Sequence, residues 1–133
     1  MPFQFVKFPG QARGFSARVS LRKNAQLGFN GGAVMHYKLE QYTGAFLHFD
    51  ASSQVIGIQL VTTHEDTAAC RIVHRPGNSY IAAKSFCDFF QIPVSDETTR
   101  YELKRDEESG MLIVELAKPL AVKGKKRGLD VGE

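Results

Sequence analysis

Residues 18–39, "RVSLRKNAQLGFNGGAVMHYKL", and residues 71–92, "RIVHRPGNSYIAAKSFCDFFQI", follow one pattern. Each opens on Arg, β-favouring residues and a second Arg, then breaks at Asn or Gly and runs through a short apolar stretch into a helix-like segment. In "SARVSLR", Ala17, Val19 and Leu21 alternate with Arg18, Ser20 and Arg22, which predicts a strand with one apolar and one basic side. Lys23-Asn24 reads as a tight turn into "AQLGF", completing a hairpin. Asn30 suits a helix N-cap, and Ala33, Val34 and Tyr37 continue at helical spacing towards Leu39, while Gly31 and Gly32 keep the helix short. "AFLHFDASSQVIGIQLV" then reads as two strands around the turn Asp50 to Ser53.

The second half repeats that order. "ACRIVHR" and "SYIA" are strands around Pro76-Gly77-Asn78, "AKSFCDFFQI" is a helix with Phe86, Phe89 and Phe90 at i, i+3 and i+4, and "RYELKRDEESGMLIVEL" is a hairpin turning at Asp106 to Gly110. Alignment sets Arg18 on Arg71, Arg22 on Arg75, Leu47 on Leu103, Asp50 on Asp106 and Ser53 on Ser109. The expected fold is α+β, an internal duplication of a β-β-α-β-β unit with mostly antiparallel sheets, two short helices and pseudo-two-fold symmetry. Residues 1–117 are expected to form a single globular domain of two repeats, about 16–61 and 69–117, and 118–133 a flexible basic tail. Any two amphipathic hairpins resemble each other to some degree, so agreement of element order, turns and paired arginines together carries this reading.

Charge is segregated along the chain. Residues 1–117 hold twelve Lys or Arg and twelve Asp or Glu, so the net charge of +3 comes from the tail. Six cations precede the first acid, Glu40, whereas residues 96–115 hold seven acids, so one face can be basic while the whole is balanced. No apolar run reaches the roughly 18 residues of a membrane span, and "MPFQFVKFPGQ" lacks a basic start followed by a sustained apolar stretch. A cytoplasmic protein with no membrane partner is expected. Cys70 and Cys87 sit among apolar neighbours and read as buried free thiols.

Read from Ala45 to Ile92, the order of four strands then a helix resembles the positive-coactivator fold of single-stranded DNA-binding proteins, which the plant Whirly proteins carry in tandem. That resemblance implies nucleic acid held on sheet surfaces by basic residues, with aromatics stacking on bases. The positions here would be Arg18, Arg22, Lys23, Arg71, Arg75, Tyr80, Lys104 and Arg105. Read from Val19 to Leu60, hairpin, short helix, hairpin resembles the AbrB-type swapped-hairpin transcription regulators, which implies a grip on duplex DNA through Arg18, Arg22 and Lys23. "KNAQLGFN" stands where that family commonly has a Lys-Gly-Arg turn and a Pro opening the helix.

The expected function is non-enzymatic nucleic-acid binding, single strands preferred, in transcription, replication or recombination, with a homo-oligomer as a further option. The alternatives are an AbrB-like duplex regulator and a protein-interaction or assembly module that binds no nucleic acid, in which the arginines pair with Glu102, Glu107 or Glu108 across strands or keep a sheet face solvated. Phe86, Phe89 and Phe90 read as core, as do Phe3, Phe5 and Phe8. No cofactor, metal site or catalytic residue is expected. His36, His48, His64 and His74 are scattered, and only "HED" at 64–66 sets a histidine beside carboxylates. "NGG" at 30–32 lacks the context of a phosphate loop and reads as a helix cap.

Overall fold

The computed structural model describes residues 3–5, 16–62 and 68–122. The "HED" stretch, Phe8 and the tail beyond residue 122 lie outside the described residues. Four strands and a helix come first: β1 (Arg18–Leu21), β2 (Gln26–Phe29), α1 (Gly31–Tyr37), β3 (Gly44–Asp50) and β4 (Val55–Val61). After them come β5 (Cys70–Arg75), β6 (Asn78–Ala82), α2 (Lys84–Phe90), β7 (Thr99–Glu102), β8 (Lys104–Arg105), β9 (Leu112–Glu115) and β10 (Ala121–Val122).

Every strand pair is antiparallel, in the order β10-β7-β1-β2-β6-β5-β3-β4-β9-β8. Only Leu103 separates β7 from β8, so one run of chain serves both ends of this order and the sheet curls to near closure. Thr99–Glu102 pairs with β1, and Lys104–Arg105 pairs with β9. At the change of partner, the Leu103 amide donates to Ala17 O at 3.0 Å, and the Leu103 carbonyl accepts from Tyr37 Oη at 3.2 Å. Elsewhere the closure is thin, because β3 and β5 share two register pairs, Gly44 with Arg71 and Ala45 with Cys70. The α+β class, mostly antiparallel sheet with two short helices, is as expected from the sequence.

Alternation decides what lies inside. Val19, Leu27, Phe29, Ile56, Ile58, Ile81, Leu112 and Val114 are buried to within 2% and form the core with Leu39, Ala45, Ile72, Tyr101 and Leu103. Their neighbours in sequence point outward, as period two demands. Each such side chain contributes roughly 1.5 to 3 kcal/mol through removal from water.

Both helices are seven residues long. Asn30 caps α1 as its side-chain type predicts, accepting from the Ala33 amide at 2.8 Å; the same oxygen accepts from Arg18 N at 3.1 Å, tying the helix start to β1. Lys38 and Gln91 end the two helices in the left-handed conformation, at φ 53° and 55°. Tyr37 on α1 reaches Leu103, while Phe86 and Phe90 on α2 pack on Phe49 of β3 with ring centroids 6.4 and 5.4 Å away.

Three expectations need correction. Phe89 is 79% exposed and Phe90 38% exposed, because Cys87 is the residue α2 buries and Phe89, two positions on, projects to the opposite side of so short a helix. Phe3 and Phe5 are exposed, their rings stacked on each other at 5.7 Å rather than on the core. The tail's first residues extend the sheet: Ala121 and Val122 pair with Arg100 and Thr99 of β7, and the Leu120 amide donates to Arg100 O at 2.7 Å.

Candidate nucleic-acid interface

The outward sides of β1, β2, β6 and β5 form one surface. Registers place Ser20 beside Gly28, Gly28 beside Tyr80 and Tyr80 beside Val73, so these four residues make a row across the sheet, which Arg100 of β7 extends beyond Ser20. One step towards the β1–β2 turn, Arg22 flanks Gln26, Gln26 faces Ala82, and Arg71 lies on the next strand. One step the other way, Arg18 and Asn30 lie at the end of the β1–β2 pair and Asn78 faces Arg75. Arg18, Arg22, Arg71 and Arg75 thus mark the corners of a patch about 13 Å along the strands, with roughly 14 Å across three strand spacings.

The guanidinium of Arg22 folds back over the open backbone of Gly28, where a Cβ would collide with it, and donates to Gln26 Oε1. Arg75 lies over the Tyr80 ring, 5.7 Å from its centroid, and donates to Tyr80 Oη at 3.3 Å. Aromatic and amide partners hold both groups without neutralising them. The ion pairs formed among the described residues belong to lysines: Lys84 with Asp88, Lys104 with Glu115 and Glu102, and Lys118 with Glu115. Glu102 sits across from Arg18 in the strand register without forming an ion pair with it, and Glu107 and Glu108 lie in the turn beyond β8.

The other nominated residues separate from this face. Lys23 is exposed in the β1–β2 turn beside it. Lys104 is outward on β8 but occupied: its ammonium donates to Glu115 at 3.1 Å, which raises the pKa of Lys104 and lowers that of Glu115. Arg105 turns to α1 and lies over the Tyr37 ring at 5.3 Å. Arg100 was overlooked in the sequence, although the alternation in "TRYEL", with Tyr101 and Leu103 buried, already turns Arg100 outward.

Two other clusters have recognisable chemistry. His74 Nδ1 lies 2.8 Å from Ser79 Oγ, and its Nε2 lies 2.8 Å from the carbonyl of Tyr42. The carbonyl only accepts, so Nε2 carries a proton. Ser79 is 1% exposed, so this Ser-His pair, unforeseen from the sequence, braces β5, β6 and the approach to β3 rather than offering a nucleophile to solvent. Burial pushes the thiol pKa values of Cys70 and Cys87 up, which favours the unreactive thiol form. Among the described residues no group of three or more His, Cys, Asp or Glu could hold a metal ion, and no helix is long and apolar enough to cross a membrane.

Family models, curated proteins and solved structures give no match to this chain. The reading of the face therefore rests on its own residues.

Proposed function

We propose that the chain is a duplicated β-β-α-β-β unit that binds nucleic acid through the outer face of β1, β2, β6 and β5, without catalysing a reaction. The duplication draws support from backbone conformation. Among the described residues, the six with positive φ fall into three pairs: Ala25 and Gly77 close the first hairpin turn of each half, one position apart in the alignment, and Lys38 with Gln91 and Gln54 with Gly110 stand at aligned positions. The two turns also match in chemistry, since Ser53 Oγ donates to Asp50 at 2.7 Å and Ser109 Oγ donates to Asp106 at 2.6 Å. The strand order reads alike from either half, with β2 against β6 and β4 against β9 where the units meet. This interleaving favours the swapped-hairpin resemblance over the coactivator one.

The observation that carries the function is the patch of four arginines, free of carboxylate partners among the described residues, disposed about the Gly28–Tyr80 pair. Its spacing of about 13 to 14 Å is close to the roughly 12 Å width of a duplex major groove, whose flanking strands are themselves related by local two-fold axes. Tyr80 is the aromatic in the middle of the face and Arg75 already lies over its ring, which limits stacking of bases there. These two features favour duplex DNA, with single strands as the other outcome of the test. The exposed Phe89 favours an assembly role as a second reading.

Fluorescence anisotropy of a labelled duplex of about 20 base pairs and of its single strand, over a salt series, tests this. Four phosphate contacts give log K against log salt a slope of about −3.6 on duplex, and the R71Q/R75Q double variant halves it. Stronger binding to the single strand would reverse the strand preference. Binding of neither form would remove the nucleic-acid role and leave the assembly reading.

A further inference from the structure

The two ends of the sheet, alike in backbone, differ in their side chains. Beside α2, Phe49, Phe86 and Phe90 pack together and fill the space between helix and sheet. In the matching place beside α1 stand Tyr37 and Arg105, and a cleft of about 430 Å³ remains open between β1, the β7–β8 run and the helix. Arg18, His36, Tyr37, Lys104 and Arg105 line it, with Glu102 as a carboxylate on its wall. Lys104 and Glu102 are engaged with each other at 4.0 Å and Lys104 with Glu115 at 3.1 Å, so their charges offset locally. Arg18 and Arg105 form no ion pair among the described residues.

We propose that this cleft is a binding site for a nucleoside monophosphate, its phosphate held between Arg18 and Arg105 and its base set against the exposed ring of His36. Three features make the match. The volume falls within the range of small-ligand clefts and leaves room for a base and a sugar. The guanidinium of Arg105 is held in place over the Tyr37 ring with its donors unspent on any carboxylate of the described residues, as bidentate recognition of a phosphate requires. The exposed His36 ring meets Tyr37 edge-on at 4.6 Å, so an aromatic wall stands next to the cations. Leu120, half exposed on the rim, adds an apolar edge. The α2 end, filled with phenylalanine and lacking a cation at the position of Arg105, does not offer this combination.

The site is independent of the proposed interface except at Arg18, which belongs to both. The test is a titration of the full chain with a nucleoside 5′-monophosphate followed by 1H–15N NMR, with inorganic phosphate as a second probe and the variants R105Q and R71Q/R75Q alongside. Expected is saturable movement of the Arg18, His36, Tyr37 and Arg105 amides, weaker by about tenfold in R105Q, unchanged in R71Q/R75Q, and weaker for phosphate than for the nucleotide. Movement confined to the Arg71 and Arg75 region, equal binding by R105Q and the parent chain, or no saturable change overturns the proposal. Because R71Q/R75Q removes two of the four interface contacts and spares the cleft, weakened duplex binding with a halved salt slope and nucleotide binding intact is the signature of two separate sites. An interface that fails to bind any strand leaves the nucleotide result unaffected.

Discussion

Gly44→Ala is expected to weaken the fold out of proportion to the single methyl group it adds. A Cβ at position 44 would lie 3.0 Å from the carbonyl oxygen of Cys70 and 3.7 Å from side-chain atoms of Ala69 and Val61. The oxygen belongs to the backbone of β5, so it cannot swing aside as a side chain would. Gly44 is also one of only two β3 residues in register with β5, and the neighbouring bond from the Ile72 amide to Thr43 O spans 3.0 Å. Relief of the contact by a few tenths of an ångström must therefore move one strand against the other at their narrowest joint. Such overpacking costs about 1 to 3 kcal/mol, which for a domain of this size lowers the melting temperature by roughly 4 to 12 °C. Gly57→Ala is the matched control. Its Cβ would meet the sulfur and terminal methyl of Met111 at 3.2 and 3.1 Å, the far end of a flexible side chain, and the change is expected to fall within about 0.5 kcal/mol of neutral. Both substitutions restrict the unfolded chain alike, so their difference isolates the clash. Urea unfolding followed by circular dichroism gives both midpoints. Equal tolerance of the two substitutions would refute the view that the β3–β5 joint is the rigid, narrow part of the sheet.

Three further outcomes follow from burial and hydrogen bonding. Ile81→Ala, at a fully buried position, is expected to cost about 2 to 5 kcal/mol in the same unfolding assay, whereas Phe89→Ala stays within about 0.5 kcal/mol; a large loss from Phe89→Ala would place that ring in a packing role. The carboxyls of Asp50 and Asp106 are held below the usual value of 3.8, first by the hydroxyls of Ser53 and Ser109 respectively. A lowered folded pKa means stability that is present above about pH 4 and lost as the pH falls through the folded values, so D50N/D106N should show a shallower acid loss than the parent, and parallel curves would count against those bonds. Iodoacetamide should label half-buried Cys70 slowly at pH 7, buried Cys87 more slowly still, and both rapidly in urea; fast labelling of Cys87 in the native chain would contradict its burial.

Local structure was largely legible in the sequence because its signals are local. Alternation in "SARVSLR" fixes which side of β1 faces inward, Asn30 announces a helix start, and the Asp50 and Asp106 turns carry their own hydrogen bonds. Strand order was not legible, because β2 against β6 and β4 against β9 are matches between distant apolar faces, and any alternating strand offers such a face. The division of Thr99–Arg105 between two partners was hidden for the same reason. In the candidate interface, alternation alone brings out Arg18, Arg22, Arg71 and Arg75. Sequence could not separate Lys104 from them, since its capture by Glu115 depends on β8 lying beside β9. Phe89 misled because i, i+3 and i+4 spacing marks a face without saying how much of it a seven-residue helix can bury.

The partner change at Leu103 also sets an order of events during synthesis. β1 is among the first strands made, yet its outer neighbour, β7, leaves the ribosome only after both helices and the first six strands. Until then Val19 and Leu21 border an open edge able to pair with any extended chain nearby. The segment from Thr99 onward is therefore the seal, and a truncated or stalled chain ending before Thr99 would carry an unprotected strand that the finished molecule hides.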